Sequence, residues 1–142
     1  MARTLLCEIV TPERIVYTQE AVFVVAPTTD GEVGILPLHQ PIVAALKPGE
    51  VRVQYGDEKQ WEWFAISGGY IQVHEDKVII LADDAVNASQ IDGERAKHSL
   101  ELATTRMNEL RGKAEADDVE LSAVERDLAW AETQMEIAAK RR

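Results

Sequence analysis

Asp30-Gly31-Glu32-Val33-Gly34-Ile35-Leu36-Pro37-Leu38-His39-Gln40-Pro41 is the stretch around which the rest of this chain is organised. Gly31 and Gly34 admit backbone angles that a side chain forbids, while Pro37 and Pro41 each fix φ and remove a donor. Between them Val33, Ile35 and Leu36 form a short apolar run. Together these residues predict a tight turn, a short strand and an extended corner that cannot join a helix.

The same grammar continues outward on both sides. Strands are predicted over residues 4–10, 14–17, 20–26, 32–36, 42–46, 50–55, 60–66, 70–74 and 77–82, each bounded by Gly, Pro, Asp or Asn. Residues 56–59 and the pair Glu75-Asp76 read as hairpin loops. Val51, Val53 and Tyr55 alternate with Arg52 and Gln54, as in a half-buried strand. Residues 21–26 and 78–81 are apolar on both faces, so burial is expected twice, by a second sheet and by the helices or a partner. Many short strands without intervening helices predict an all-β N-terminal sandwich of about nine to ten antiparallel strands.

Composition turns over near Val86. All five prolines precede it, and Ala, Glu, Leu and Arg dominate the residues after it. Ala96, Leu100, Ala103, Met107 and Leu110 recur at helical steps, and so do Leu121, Val124, Leu128, Ala131, Met135 and Ala138. Asp92, alone or with Ser89, starts the first helix; Gly112 reads as its C′ residue, and Asp117 with Glu120 as a capping box for the second. The short connector predicts an α-helical antiparallel hairpin. The expected domains are therefore a β-sandwich over residues 1–86 and a two-helix hairpin over residues 87–142. Alanine-rich seams bury little area, so the hairpin is expected to lean on the β part and to be able to exchange that dock for another surface.

A net charge of −10 disfavours nucleic acid and anionic membranes as partners. No window approaches the ~18 apolar residues of a membrane-spanning helix, and no signal-peptide pattern opens the chain. A soluble chain with no direct membrane insertion is expected, reaching a membrane only through a partner. Cys7, the only cysteine, can form no intrachain disulfide and reads as a small core hydrophobe. His39, His74 and His98 are too dispersed for a local metal motif. Ser67-Gly68-Gly69 is not a nucleophile elbow, because Ala65 stands where the first glycine of G-x-S-x-G belongs. Gly31-x-x-Gly34 lacks the basic neighbours of a nucleic-acid loop. Asp57-Glu58, Asp83-Asp84 and Asp117-Asp118 read as solvated charge. No nucleophile–base set supports a hydrolase, no catalytic constellation is present, and no cofactor is required. Trp61 and Trp63 share one strand face, opposite Glu62 and Phe64, and fit either core packing or a partner-facing aromatic patch.

The opening stretch resembles the signature segment of the epsilon subunit of F-type ATP synthases, roughly G-E-x-G-I-L-P-x-H-x-P, through Gly31, Glu32, Gly34, Ile35, Leu36, Pro37, His39 and Pro41. Further matches come in order along the chain: Leu46, Pro48 and Gly49; Ser67, Gly68, Gly69 and Tyr70; residues 78–82; and Ile91, Asp92, Arg95 and Ala96. The resemblance spans the whole chain. It implies a non-catalytic, central-stalk rotor component of a proton- or sodium-translocating synthase, peripheral at the cytoplasmic face of the cell membrane. It implies that the sandwich binds the gamma subunit and rests on the polar loops of the c-ring. Glu32 would meet the c-ring, with His39, Gln40 and Pro41 near gamma. The helical tail would have two states, folded on the sandwich or extended along gamma into the alpha and beta subunits of the catalytic head. The extended state blocks ATP hydrolysis, and Arg126, Lys140, Arg141 and Arg142 are the candidates for that inhibitory contact.

In several bacterial members of the family the folded hairpin binds ATP as a regulatory ligand. Ile91, Asp92, Arg95 and Ala96 match that motif and would make the chain a nucleotide-sensing module. The residues alone read equally as an N-cap and a surface arginine. The chain departs from the ATP-binding pattern at Val86, where the family has an acidic residue, and at Trp130 and Gln134, where relatives place arginines. Its second helix is also acidic, through Glu120, Glu125, Asp127, Glu132 and Glu136.

Overall fold

The computed structural model describes residues 3–113 and 117–140. The β-branched runs between breakers become β1 (Leu5–Val10), β2 (Ile15–Ala21), β3 (Phe23–Thr28), β4 (Gly31–Ile35), β5 (Ile42–Leu46), β6 (Gly49–Tyr55), β7 (Gln60–Ile66), β8 (Gly69–His74), β9 (Lys77–Ala82) and β10 (Ala85–Asn87). A single 3-10 turn, Ala88–Gln90, leads into α1 (Gly93–Arg111), and α2 (Asp118–Lys140) comes after it.

The strands run in the order β10-β7-β6-β3-β5-β8-β9-β1-β2, with β4 on the far edge of β3. Neighbours are antiparallel except β1 and β9, which lie parallel. β3 is the corner: Phe23, Val24 and Val25 pair with β6, whereas Thr28 pairs with Leu46 of β5. The sheet thereby turns over on itself and closes one core. Leu5, Cys7 and Ile9 from β1 meet Val51 and Val53 from β6, Phe64 and Ile66 from β7, Ile71 from β8, and Val78 and Ile80 from β9, all fully or almost fully buried. Every residue of this cluster comes from β1 to β9. Tyr17 tilts against Phe64 with ring centroids 4.7 Å apart. Burial, then the Glu8 carboxylate, push the Cys7 thiol up to about 12, so it is inert as a nucleophile.

Asp92 caps α1 by accepting a hydrogen bond from the Arg95 N–H at 3.1 Å. Asp117 accepts one from the Val119 N–H at 2.9 Å at the start of α2. Gly112 differs from expectation. Its φ of −78° is right-handed, so it is a helical C-cap rather than a left-handed C′ residue, and its N–H bonds the carbonyls of Asn108 and Glu109.

The seam expected from helical spacing accounts for only one face of α2. Val124, with Leu121, packs against Met107 and Leu110 of α1. A second face carries Trp130 and Ile137, joined by Ala138 of the expected seam, onto Trp63 and Ala65 of β7, together with Val86, Ala88 and Ile91. Trp130 and Ile137 are seven residues apart, two helical turns, and form a stripe of their own. The tail therefore docks through a small cluster that is distinct from the β core.

Mainly acidic side chains, with Arg126 among them, flank this dock. A cavity of about 490 Å³ is lined by Asp83 and Asp84 of the sandwich and by Glu125, Arg126 and Asp127 of α2. Burial, with Glu13 and Asp83 beside it, raises the Asp84 carboxyl above the ordinary aspartate range. A raised acid favours the folded state at low pH, and that contribution is lost as pH rises through its folded value.

The expectation that residues 78–81 are buried on both faces is corrected. Val78 and Ile80 are in the core, but Leu81 is 48% exposed. α2 docks on β6, β7 and the 3-10 turn, on the other half of the sheet, and α1 packs on α2.

Candidate docking site and hairpin cleft

Beyond Ile35 the chain leaves β4 and turns sharply. The His39 N–H donates to the Leu36 carbonyl at 3.1 Å, and Leu38 sits at a φ of +68°. The turn between β8 and β9 supports this corner. The Leu38 N–H donates to Asp76 Oδ1 at 2.7 Å, and Arg3 Nε donates to Asp76 Oδ2 at 3.0 Å. The Leu38 N–H first, and Arg3 second, hold the Asp76 carboxyl below the usual aspartate range. The resulting stabilisation is present above the ordinary aspartate pKa and is lost as pH falls through the lowered value. His39 Nδ1 lies 2.7 Å from the Gln40 carbonyl, so that nitrogen carries the proton and donates. Gln40 and Pro41 are exposed.

Glu32 is elsewhere. It stands on β4 opposite Pro27, beside the β3–β4 turn, whereas His39 lies beyond the other end of the strand. Both Glu32 carboxylate oxygens are 3.3 Å from Arg52 Nη2. The structure thus separates Glu32 from the group His39, Gln40 and Pro41 rather than gathering all four into one cluster.

An apolar face opens on β5, β8 and β9. Val43 is 74% exposed, Tyr70 59% and Leu81 48%. Strand register sets Tyr70 between Ala45 and Leu81, and Leu81 beside Val10. The sequence signal for this face was the doubly apolar run at residues 78–81; Val43 and Tyr70 carried none by themselves.

A second concavity of about 590 Å³ lies between the helices and the end of the sandwich. Ile91, Asp92, Arg95 and Ala96 all line it, so the structure brings the four motif residues together. Arg106 and Ser99 extend the α1 wall, and Trp130, Gln134 and Asp127 form the α2 wall. Sequence reasoning missed Arg106, although the series Arg95, Ser99, Leu102, Arg106 keeps helical spacing. One Asp92 oxygen is already engaged in capping. Arg126 faces the other cavity, beside Asp83 and Asp84, and Lys140 pairs with Glu136 at 3.6 Å. Arg141 and Arg142 lie outside the described residues. Of the two tryptophans on β7, Trp63 packs beneath α2, while Trp61 meets Phe23 edge-on at 6.2 Å.

Among the described residues no group of His, Cys, Asp and Glu is placed to hold a metal ion. No helix among them is long and apolar enough to cross a membrane. The described residues thus combine a closed β core, an open apolar face on β5, β8 and β9, and a helical hairpin docked through a small separate cluster. The family model described as ATP synthase, Delta/Epsilon chain, beta-sandwich domain, matches residues 4–88. The ATP synthase epsilon chain of Desulforamulus reducens is 49% identical over 108 residues, 76% of this chain and 80% of that one. That of Neisseria meningitidis serogroup C is 36% identical over 128 residues, 90% of this chain and 88% of that one. The fold superposes with a TM-score of 0.75, at 24% identity, on a chain of the Euglena gracilis mitochondrial ATP synthase, covering 97% of this chain and 82% of that chain. The chain belongs to the ATP synthase epsilon-chain family, a non-catalytic subunit of that complex.

Proposed function

We propose that this chain is a central-stalk rotor component that joins the catalytic head of a proton- or sodium-translocating ATP synthase to its c-ring, and that its helical tail restrains ATP hydrolysis. The gamma subunit docks on the face of Val43, Tyr70 and Leu81, continued by His39, Gln40 and Pro41. Glu32 meets the polar loops of the c-ring. The complex holds the chain peripherally at the cytoplasmic face of the membrane. In the extended state Arg126, Lys140, Arg141 and Arg142 reach the alpha and beta subunits, and the acidic remainder of α2 tempers that contact.

The observation that carries this reading is the open apolar face on β5, β8 and β9, while the tail covers β6 and β7. An exposed aliphatic and aromatic patch beside a rigid corner fits a protein interface. Val43→Asp with Leu81→Asp places carboxylates in that interface without partners, at a cost of about 3 kcal/mol or more. Gamma affinity is then expected to fall at least about 100-fold, with far-UV circular dichroism unchanged. Undiminished co-purification with gamma would contradict the assignment.

The hairpin cleft supports a second role, regulatory binding of ATP. Arg95 and Arg106 flank it with Trp130 between the helices, so phosphate and base each have a chemically suited wall. Calorimetry of the purified chain with Mg-ATP is expected to show binding that weakens in Arg95→Ala. Absence of heat at millimolar nucleotide would remove this role.

A further inference from the structure

We propose that Asp76, on the turn between β8 and β9, is the positioning residue of the corner that presents His39, Gln40 and Pro41. This rests on the docking role proposed for that corner.

The corner has little support of its own. Pro37 and Pro41 have no N–H to donate. Leu36 is 58% exposed and Leu38 69% exposed, so apolar burial does not hold the loop. Its internal hydrogen bonds are short-range, from the His39 N–H to the Leu36 carbonyl and from His39 Nδ1 to the neighbouring Gln40 carbonyl. Leu38 also occupies the left-handed region, which a branched side chain rarely adopts without an outside restraint.

Asp76 supplies that restraint from a residue 38 positions away in the chain. Its own backbone is anchored, because the Leu6 N–H donates to the Asp76 carbonyl at 2.8 Å. The two carboxylate oxygens divide their work: Oδ1 takes the Leu38 N–H at 2.7 Å, and Oδ2 takes the Arg3 guanidinium at 3.0 Å. An ionised acceptor makes a stronger bond than a neutral one. The charges beside Asp76 are otherwise engaged, since Lys77 pairs with Glu8 at 3.1 Å and Glu75 lies 3.6 Å from His74. Asp76 therefore ties three segments at the β8–β9 turn: its side chain holds the corner at Leu38 and the lead-in to β1 at Arg3, and its backbone carbonyl holds β1 at Leu6. A corner held in one conformation meets its partner without first being ordered, whereas a released one loses affinity to that ordering.

The test compares the full chain with Asp76→Ala and Asp76→Asn, reading amide exchange at Leu38, affinity for purified gamma subunit, and Tm. In Asp76→Ala the Leu38 amide is expected to exchange about tenfold faster and gamma affinity to fall about tenfold. Asp76→Asn keeps an acceptor oxygen and is expected to recover most of both. Tm should fall modestly in Asp76→Ala, by the stabilisation that the Leu38 and Arg3 bonds supply, and less in Asp76→Asn. The proposal is overturned if Leu38 exchange is unchanged in Asp76→Ala, if Asp76→Asn is as damaging as Asp76→Ala, or if exchange rises with no loss of affinity. Failure of the unsubstituted chain to bind gamma removes the docking reading instead, and Leu38 exchange still decides whether Asp76 clamps the corner.

Discussion

Gly69→Ala is expected to remove on the order of 4 kcal/mol of stability, a large share of the roughly 5–15 kcal/mol that holds a domain together. Gly69 opens β8 at a φ of +143°, between Leu46 of β5 and Ala82 of β9. A Cβ there would lie 1.9 Å from the Leu81 carbonyl oxygen and 2.9 Å from the Ala82 Cα. Both neighbours are backbone of a paired strand, so relief requires β8 and β9 to separate. Gly56 is the control. Its φ is also positive, at +77°, but nothing lies within 4 Å of the added carbon. Gly56→Ala therefore costs only the conformational strain, about 1 kcal/mol. Urea unfolding of the two variants should show a large midpoint loss for Gly69→Ala and a small one for Gly56→Ala. Equal midpoints would mean that the close approach of β8 to β9 does not govern the fold.

Deleting residues 92–142 has the second large effect, on activity rather than on folding. The truncated chain is expected to fold, because the core of Leu5, Cys7, Ile9, Phe64 and Ile80 draws nothing from the helices. The deletion uncovers Trp63, Ala65, Val86 and Ala88, a limited apolar patch. The gamma-facing side of β5, β8 and β9 is untouched, so gamma binding should persist while ATP hydrolysis by the assembled complex rises. Unchanged hydrolysis would make the tail a structural appendage. A truncated sandwich that fails to fold would show that the hairpin belongs to the core.

The strands were legible because breakers delimit them: Gly, Pro or Asp falls at almost every boundary from β1 to β9. β10 was missed, since Ala85-Val86-Asn87 is too short to show a period and is a strand only through pairing with β7. β2 was split and cut short, because it is an edge strand whose Thr18, Gln19 and Glu20 face solvent and look like loop. The parallel pairing of β1 with β9 joins segments about seventy residues apart, and no local pattern encodes it. The motif residues 91, 92, 95 and 96 were legible as a group because one helix start carries them all. Arg106, Asp76 and the face of Val43, Tyr70 and Leu81 were not. Asp76 and that face depend on which strands and turns become neighbours, a property of the closed sheet, whereas Arg106 follows Arg95 at helical spacing on α1 and was overlooked.

We infer that the β-body can stand alone and that the hairpin rests on it through a small apolar contact with mainly acidic side chains beside it. Residue-resolved amide exchange of the full chain across low urea concentrations tests it most directly. α1 and α2 are expected to exchange through a shared opening of markedly lower free energy than β1, β8 and β9. Helices and strands that open only together, in one global unfolding, would contradict it.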